Sequence, residues 1–209
     1  MAQPTNTFDT YDSVGEREDL SDVIYSISPT DTPFISSAAK TKATAVLHEW
    51  QTDALAAAAT NNAVIEGDEA TLDAVSATTR LSNSSQIMDK TVVITGTQES
   101  VDKAGRASEL AYQIAKKAKE LKRDMEATVT GNQAEVTGNA STARKFGSLG
   151  AWIETNDDLG ASGSSGGAGN TARTDGTQRA FTEASLKSVI KSVWNEGGDP
   201  SMIMVGPFN

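Results

Sequence analysis

The stretch Arg106 to Thr130, RASELAYQIAKKAKELKRDMEATVT, constrains this chain more than any other. It contains no Pro or Gly and is rich in Ala, Leu, Lys, Glu, Gln and Met, all strong helix formers. Its apolar positions, Ala107, Leu110, Ala111, Ile114, Ala118, Leu121, Met125 and Val129, recur in steps of three and four and make one helical stripe. Gly105 and Gly131 bracket the run, and Ser108 stands where it can cap the first turn. At about 1.5 Å per residue the helix is roughly 37 Å long. A helix of that length acts as a spine, and the pattern predicts that its stripe is buried, with Leu121 at mid-stripe.

Composition removes whole classes of chemistry. With no cysteine, disulfides, thiolate nucleophiles and Cys-bound metals are excluded. The single histidine, His48, confines any Ser-His-Asp arrangement to its own neighbourhood. A net charge of −10 argues against a protein that grips phosphate backbones over its whole surface. No apolar run approaches the roughly 20 residues that span a bilayer. The polar start MAQPTNTFDT is unlike a signal peptide, so the expectation is a soluble, intracellular chain without a membrane partner.

Met1 to Glu16 is polar and aperiodic, an extended arm that orders only against something else. A short helix is predicted over Glu18–Ser26, with Leu20, Val23, Ile24 and Ile27 on one face, stopped by Pro29. A second is predicted from Asp31 or Thr32 as cap, with Pro33 at its first position, followed by Phe34, Ile35 and Ala38. Val46, His48, Trp50 and Thr52 alternate as a strand, and Ile87 to Thr95 reads as a stronger one. Between these strands lies a long stretch of small and polar residues that cannot bury itself, which suggests a two-stranded flap lying on a partner surface. Asp157 to Gly176 is Gly/Ser-rich and reads as a flexible surface excursion. Thr182 opens an amphipathic helix with Leu186, Val189, Ile190 and Val193 inward, ended by Gly197-Gly198. Ser201 to Val205 reads as a fresh apolar strand, so a domain interrupted at residue 209 is expected.

Candidates for chemistry are few. Asp53, Asp157-Asp158 and Glu66-Gly67-Asp68-Glu69 lack metal-loop spacing and read as solvated turns. His48 reads as structural, since no G-x-S-x-G or other nucleophile motif is present. The glycines from 160 to 169 form no G-x-G-x-x-G between a strand and a helix. Lys116, Lys117, Lys119, Lys122 and Arg123 form a basic cluster, but Glu109, Glu120, Asp124 and Glu126 interleave with it, so intrahelical ion pairs are expected. No cofactor, metal or enzyme activity is expected.

REDLSDVIYSISPTDTPFISSAAKTKATAVLHEWQTDALA, from Arg17 to Ala56, resembles the N-terminal region of major capsid proteins of tailed bacteriophages. TVVITGTQESVDKAGRASELAYQIAKKAKELKRDMEATVTGN, from Thr91 to Asn132, is similar to that family's strand and spine helix, and GSLGAWIETN and VWNEGGDPSMIMVGPFN follow in the family's order. The resemblance implies an α+β chain of the Johnson capsid fold, which is shared with encapsulins and has an N-terminal arm, an extended β-hairpin loop, a peripheral domain with the spine helix and an axial domain. These map to residues 1–40, 41–100, 101–156 with the spine at 106–130, and 177–209 as a partial axial domain, with 157–176 a connecting loop. Family members usually continue for about another hundred residues.

The same resemblance implies a shell of hexamers and pentamers enclosing double-stranded DNA without reading its sequence. Portal, scaffold and decoration proteins would be partners, with assembly in the host cytoplasm and residence in the virion. Asn61, Asn62, Val64, Ile65, Glu66 and Asp68 of the flap, and Phe8 and Tyr11 of the arm, are the candidate subunit-interface residues. Rival readings are an encapsulin-type nanocompartment and a tail or decoration protein. Some shells of this fold are welded by lysine–asparagine isopeptide bonds. Here no lysine lies between Lys42 and Lys90, so non-covalent cohesion is expected.

Overall fold

The computed structural model describes residues 5–206. In chain order these form α1 (Pro33–Ser37), β1 (Leu47–Thr52), β2 (Thr79–Ser84), α2 (Gly96–Ser100), α3 (Glu109–Val129), α4 (Leu149–Trp152) and α5 (Glu183–Asn195). The mixture is α+β. The chain divides into two compact units, residues 5–30 with Lys90–Glu120, and Asp31–Asp89 with residues 121–206.

In the first unit, residues 5–30 form no helix or strand, so the helix expected over Glu18–Ser26 is absent. Leu20, Val23, Ile24 and Ile27 stay exposed, and a helix this short is marginal without a surface to bury its apolar face. The arm is tied instead at Gly105, whose N–H donates to Asp22 Oδ1 at 3.2 Å. Gly105 has φ +75°, and a Cβ there would come within 3.0 Å of the Ile24 side chain. The strand expected over Ile87–Thr95 pairs with nothing among the described residues, and Ile87 and Val93 are exposed. Thr95 caps α2 by accepting from Gln98 N–H, and Lys103 Nζ closes the other end by donating to Gln98 O, Glu99 O and Val101 O at 2.9–3.0 Å.

The start of α3 is doubly capped. Ser108 Oγ accepts from Ala111 N–H, as expected, while Glu99 Oε2 accepts from the N–H groups of Glu109 and Leu110. The burial expected of the apolar stripe is met only in part, with Leu121 and Val129 half-buried but Leu110 and Ile114 exposed. Glu109 is 5% exposed, held by Arg106 and Gln113, whereas Ile114 is 55% exposed. Glu109 is covered because it carries the ion pair and hydrogen bonds of the first turn, whereas Lys116, Lys119, Lys122 and Arg123 further along the polar side stay exposed.

The second unit contains the antiparallel β1–β2 pair, in register from Leu47 opposite Ser84 to Thr52 opposite Thr79. The returning strand therefore lies at Thr79–Ser84, earlier than the expected Ile87–Thr95. Its sequence TRLSNS is polar because its side chains are tethers. Asn83 exchanges two hydrogen bonds with the Gly147 backbone at 2.8 and 3.0 Å, and Ser84 binds Glu135. Trp50 of β1 packs on Trp152 with ring centroids 5.0 Å apart, and His48 lies 5.9 Å from Trp50. The described core is small and centres on Ala151, 0% exposed, beside buried Ser148. Ser148 Oγ accepts from Gln133 N–H at 2.6 Å and donates to Gly131 O at 2.9 Å.

The Gly/Ser stretch 157–176 is not a loose excursion. Gly166 N–H donates to Ile153 O, Gly169 N–H to Ala151 O, and Gly169 O accepts from Glu135 N–H. A Cβ on Gly166 would lie 2.5 Å from Ala151 O, so glycine is what lets the two backbones meet. Among the short helices, α1 has Pro33 at its start and is capped by Glu126, whose two carboxylate oxygens accept from Phe34 and Ile35 N–H at 2.8 Å each. Helix α5 is capped by Thr182 as expected and ends at Gly197, φ +85°, with Gly198 N–H donating to Val193 O. The strand expected at Ser201–Val205 does not form, and Met202 to Val205 remain exposed.

Candidate assembly surface

The loop joining β1 to β2, residues 53–78, carries its apolar side chains in the open. Leu55 and Leu72 are 100% exposed, and Val64, Ile65 and Val75 are also exposed. A turn organises its tip, with Asp68 N–H donating to Ile65 O at 3.1 Å and Gly67 at φ +83°. Asp68 Oδ1 then accepts from Glu69 N–H at 2.9 Å. Of the flap candidates, Val64, Ile65, Glu66 and Asp68 gather at this turn and Asn61 and Asn62 lead into it, all exposed. Phe8 and Tyr11 belong to the other unit. A local turn displays them, with Asp9 accepting from Tyr11 N–H through its side chain and from Asp12 N–H through its carbonyl. Tyr11 is 94% exposed.

Exposed apolar residues that the sequence reading does not single out include Leu55, Leu72 and Val75, isolated in a polar stretch where neither helical nor strand periodicity flags them. Leu110 and Ile114, expected in a buried stripe, are exposed as well. Beside α5 an open cleft of about 540 Å³ is walled by Ile153, Phe181, Leu186, Val189, Ile203 and Val205. At its rim Arg179 holds the Asp158 carboxyl below its ordinary range, through a hydrogen bond first and charge second. Among the described residues, no group of three His, Cys, Asp or Glu is placed to hold a metal ion.

Open apolar side chains on a long hairpin, with a slight described core, are features of a structural chain and not of a catalytic pocket. The chain belongs to the SU10 major capsid protein family, whose model matches residues 3–209. It is 40% identical over 134 residues to the major capsid protein of Escherichia phage Phieco32. That match covers 64% of this chain and 38% of the relative, well under half of the relative's length.

Proposed function

We propose that the chain forms part of a major capsid protein whose copies assemble into the closed head shell of a tailed bacteriophage, enclosing its double-stranded DNA. The arm, hairpin, spine and α5 regions take the roles of N-terminal arm, extended loop, peripheral and axial parts of a Johnson-type subunit. The interface runs through Asn61, Asn62, Val64, Ile65, Glu66 and Asp68 of the flap and through Phe8 and Tyr11 of the arm. Hexamers and pentamers, with portal, scaffold and decoration proteins, complete a particle built in the host cytoplasm and held by non-covalent contacts. Each contact is modest, and closure of the shell multiplies it. No catalytic step is assigned.

The observation that carries this reading is the exposed hairpin loop, whose Leu55 and Leu72 are fully exposed among the described residues and are open to a neighbour. Protease accessibility tests it. The loop has no Lys or Arg between Asp53 and Thr78 but offers Glu66 and Glu69 to a glutamate-specific protease. The free chain is expected to be cut there rapidly and virions to be protected at least 100-fold. Equal cutting in both would show that the loop is not an intersubunit element.

A further inference from the structure

The basic cluster of α3 is not neutralised in the way its interleaved acids suggest. Glu109 is taken by Arg106 and Gln113, and Glu126 by the N-terminus of α1. Glu120 is taken by Lys117 at 2.6 Å, and Lys122 Nζ donates to Ser36 Oγ at 3.0 Å. Lys116, Lys119 and Arg123 are exposed and form no close ion pair among the described residues, although the Lys116 charge also acts on Glu120. They sit at helical positions i, i+3 and i+7. At about 100° per residue they share a sector of about 60°, roughly opposite Leu110, Ile114, Leu121 and Met125. The stripe is about 10 Å long.

We propose that this stripe is a contact for the sugar–phosphate backbone of double-stranded DNA. The inference rests on the shell reading for the source of that DNA. Charge complementarity selects the occupant. A duplex carries one negative charge per about 1.7 Å of axis, so a row of about 10 Å spans several phosphates. Arg123 presents a fork suited to a phosphate, and the two ammonium groups act as point charges. The chain as a whole carries −10, so DNA is repelled from most of its surface and drawn to a helical face on which three cations stand exposed. Three cations per copy give weak, sequence-independent binding, which a shell repeats many times.

The test is fluorescence anisotropy of a random-sequence 30-base-pair duplex with the purified chain, titrated at several salt concentrations. The Lys116→Gln/Lys119→Gln/Arg123→Gln variant is expected to bind at least tenfold more weakly at low salt, with a slope of log affinity against log salt shallower by about 2.7. A control variant, Lys40→Gln/Lys42→Gln/Lys191→Gln, makes the same charge change at exposed sites outside α3 and is expected to keep the wild-type slope. Matching circular dichroism spectra confirm that both variants fold. Equal loss in the two variants, no binding by the wild type, or displacement of the duplex by an equal charge of polyglutamate would overturn the proposal. Virions that protect residues 53–78 from protease while the chain ignores DNA would sink this inference alone. A chain that binds DNA through the stripe but leaves that loop unprotected would sink the shell reading instead.

Discussion

Glu99 and Glu126 are carboxylates that cap helices they do not belong to. Glu126, within α3, satisfies two orphan N–H groups of α1 from more than ninety positions away in the chain. Glu126→Ala is expected to cost about 1 kcal/mol, the usual value of a lost cap. Hydrogen exchange at the Phe34 and Ile35 amides should then quicken while mid-α3 amides are unchanged, and a uniform increase would deny the cap. Glu99 performs the same service for α3. Its carboxyl lies below the ordinary range because the Ser108 hydroxyl hydrogen-bonds it, aided by Leu110 and Glu109 N–H and by the charge of Lys103, against some desolvation. A depressed folded value means that its stabilisation is complete above the unfolded value, about 4.3, and is lost as pH falls through the folded one. The first turn of α3 should therefore fray in acid below about pH 4, whereas in Glu99→Gln it should lack that pH dependence. Identical acid profiles of the Leu110 amide in both proteins would count against the assignment.

At the scale of elements, what could be read from sequence was what is local. The ends of α3 and α5 follow from Ser108, Thr182 and Gly197, residues that act on their own helix. Helix α1 followed from Pro33, although its cap comes from a distant residue that no local pattern reveals. Strand β2 escaped because TRLSNS is polar and is fixed by non-local partners, Gly147 and Glu135, while the more strand-like Ile87–Thr95 has none among the described residues. The arm helix failed for the complementary reason, a local pattern without a surface to bury it. The flap was legible as an exposed loop, Val64 and Ile65 included, because its length and polarity leave it unable to pack, whereas the isolated Leu55, Leu72 and Val75 were not. The Gly-rich stretch misled most, since composition does not separate a flexible linker from backbone packed on backbone. Gly166→Ala distinguishes the two. It places a Cβ 2.5 Å from Ala151 O and should lower stability by about 1–3 kcal/mol. Gly167→Ala, whose Cβ would meet the Thr171 side chain at 3.3 Å, should cost less. Thermal melts showing no change for Gly166→Ala would restore the flexible reading.

At the scale of the molecule, surface area is the decisive quantity. A compact monomer of this mass, 21.9 kDa, exposes about 9,300 Å². This chain exposes 17471 Å², nearly twice as much. The flap contributes to that surplus without contributing to the core. Among the described residues, the hydrogen bonds of Asn61 to Thr71 stay inside the segment, from Asp68 N–H to Ile65 O and from Glu69 N–H to Asp68 Oδ1. Deleting Asn61–Thr71 leaves the β1–β2 register intact from Leu47–Ser84 to Thr52–Thr79. It shortens the connecting loop from about 26 to about 15 residues, which lowers the closure cost by about 0.5 kcal/mol. The shortened chain should therefore melt at the same temperature or about 1 °C higher. In complementation of a phage lacking its own copy, the same deletion should abolish head formation, because the neighbour loses Val64, Ile65 and the turn that presents them. A fall of more than 5 °C in melting temperature would make the segment part of the subunit's own fold, and normal heads from the deleted protein would remove it from the interface.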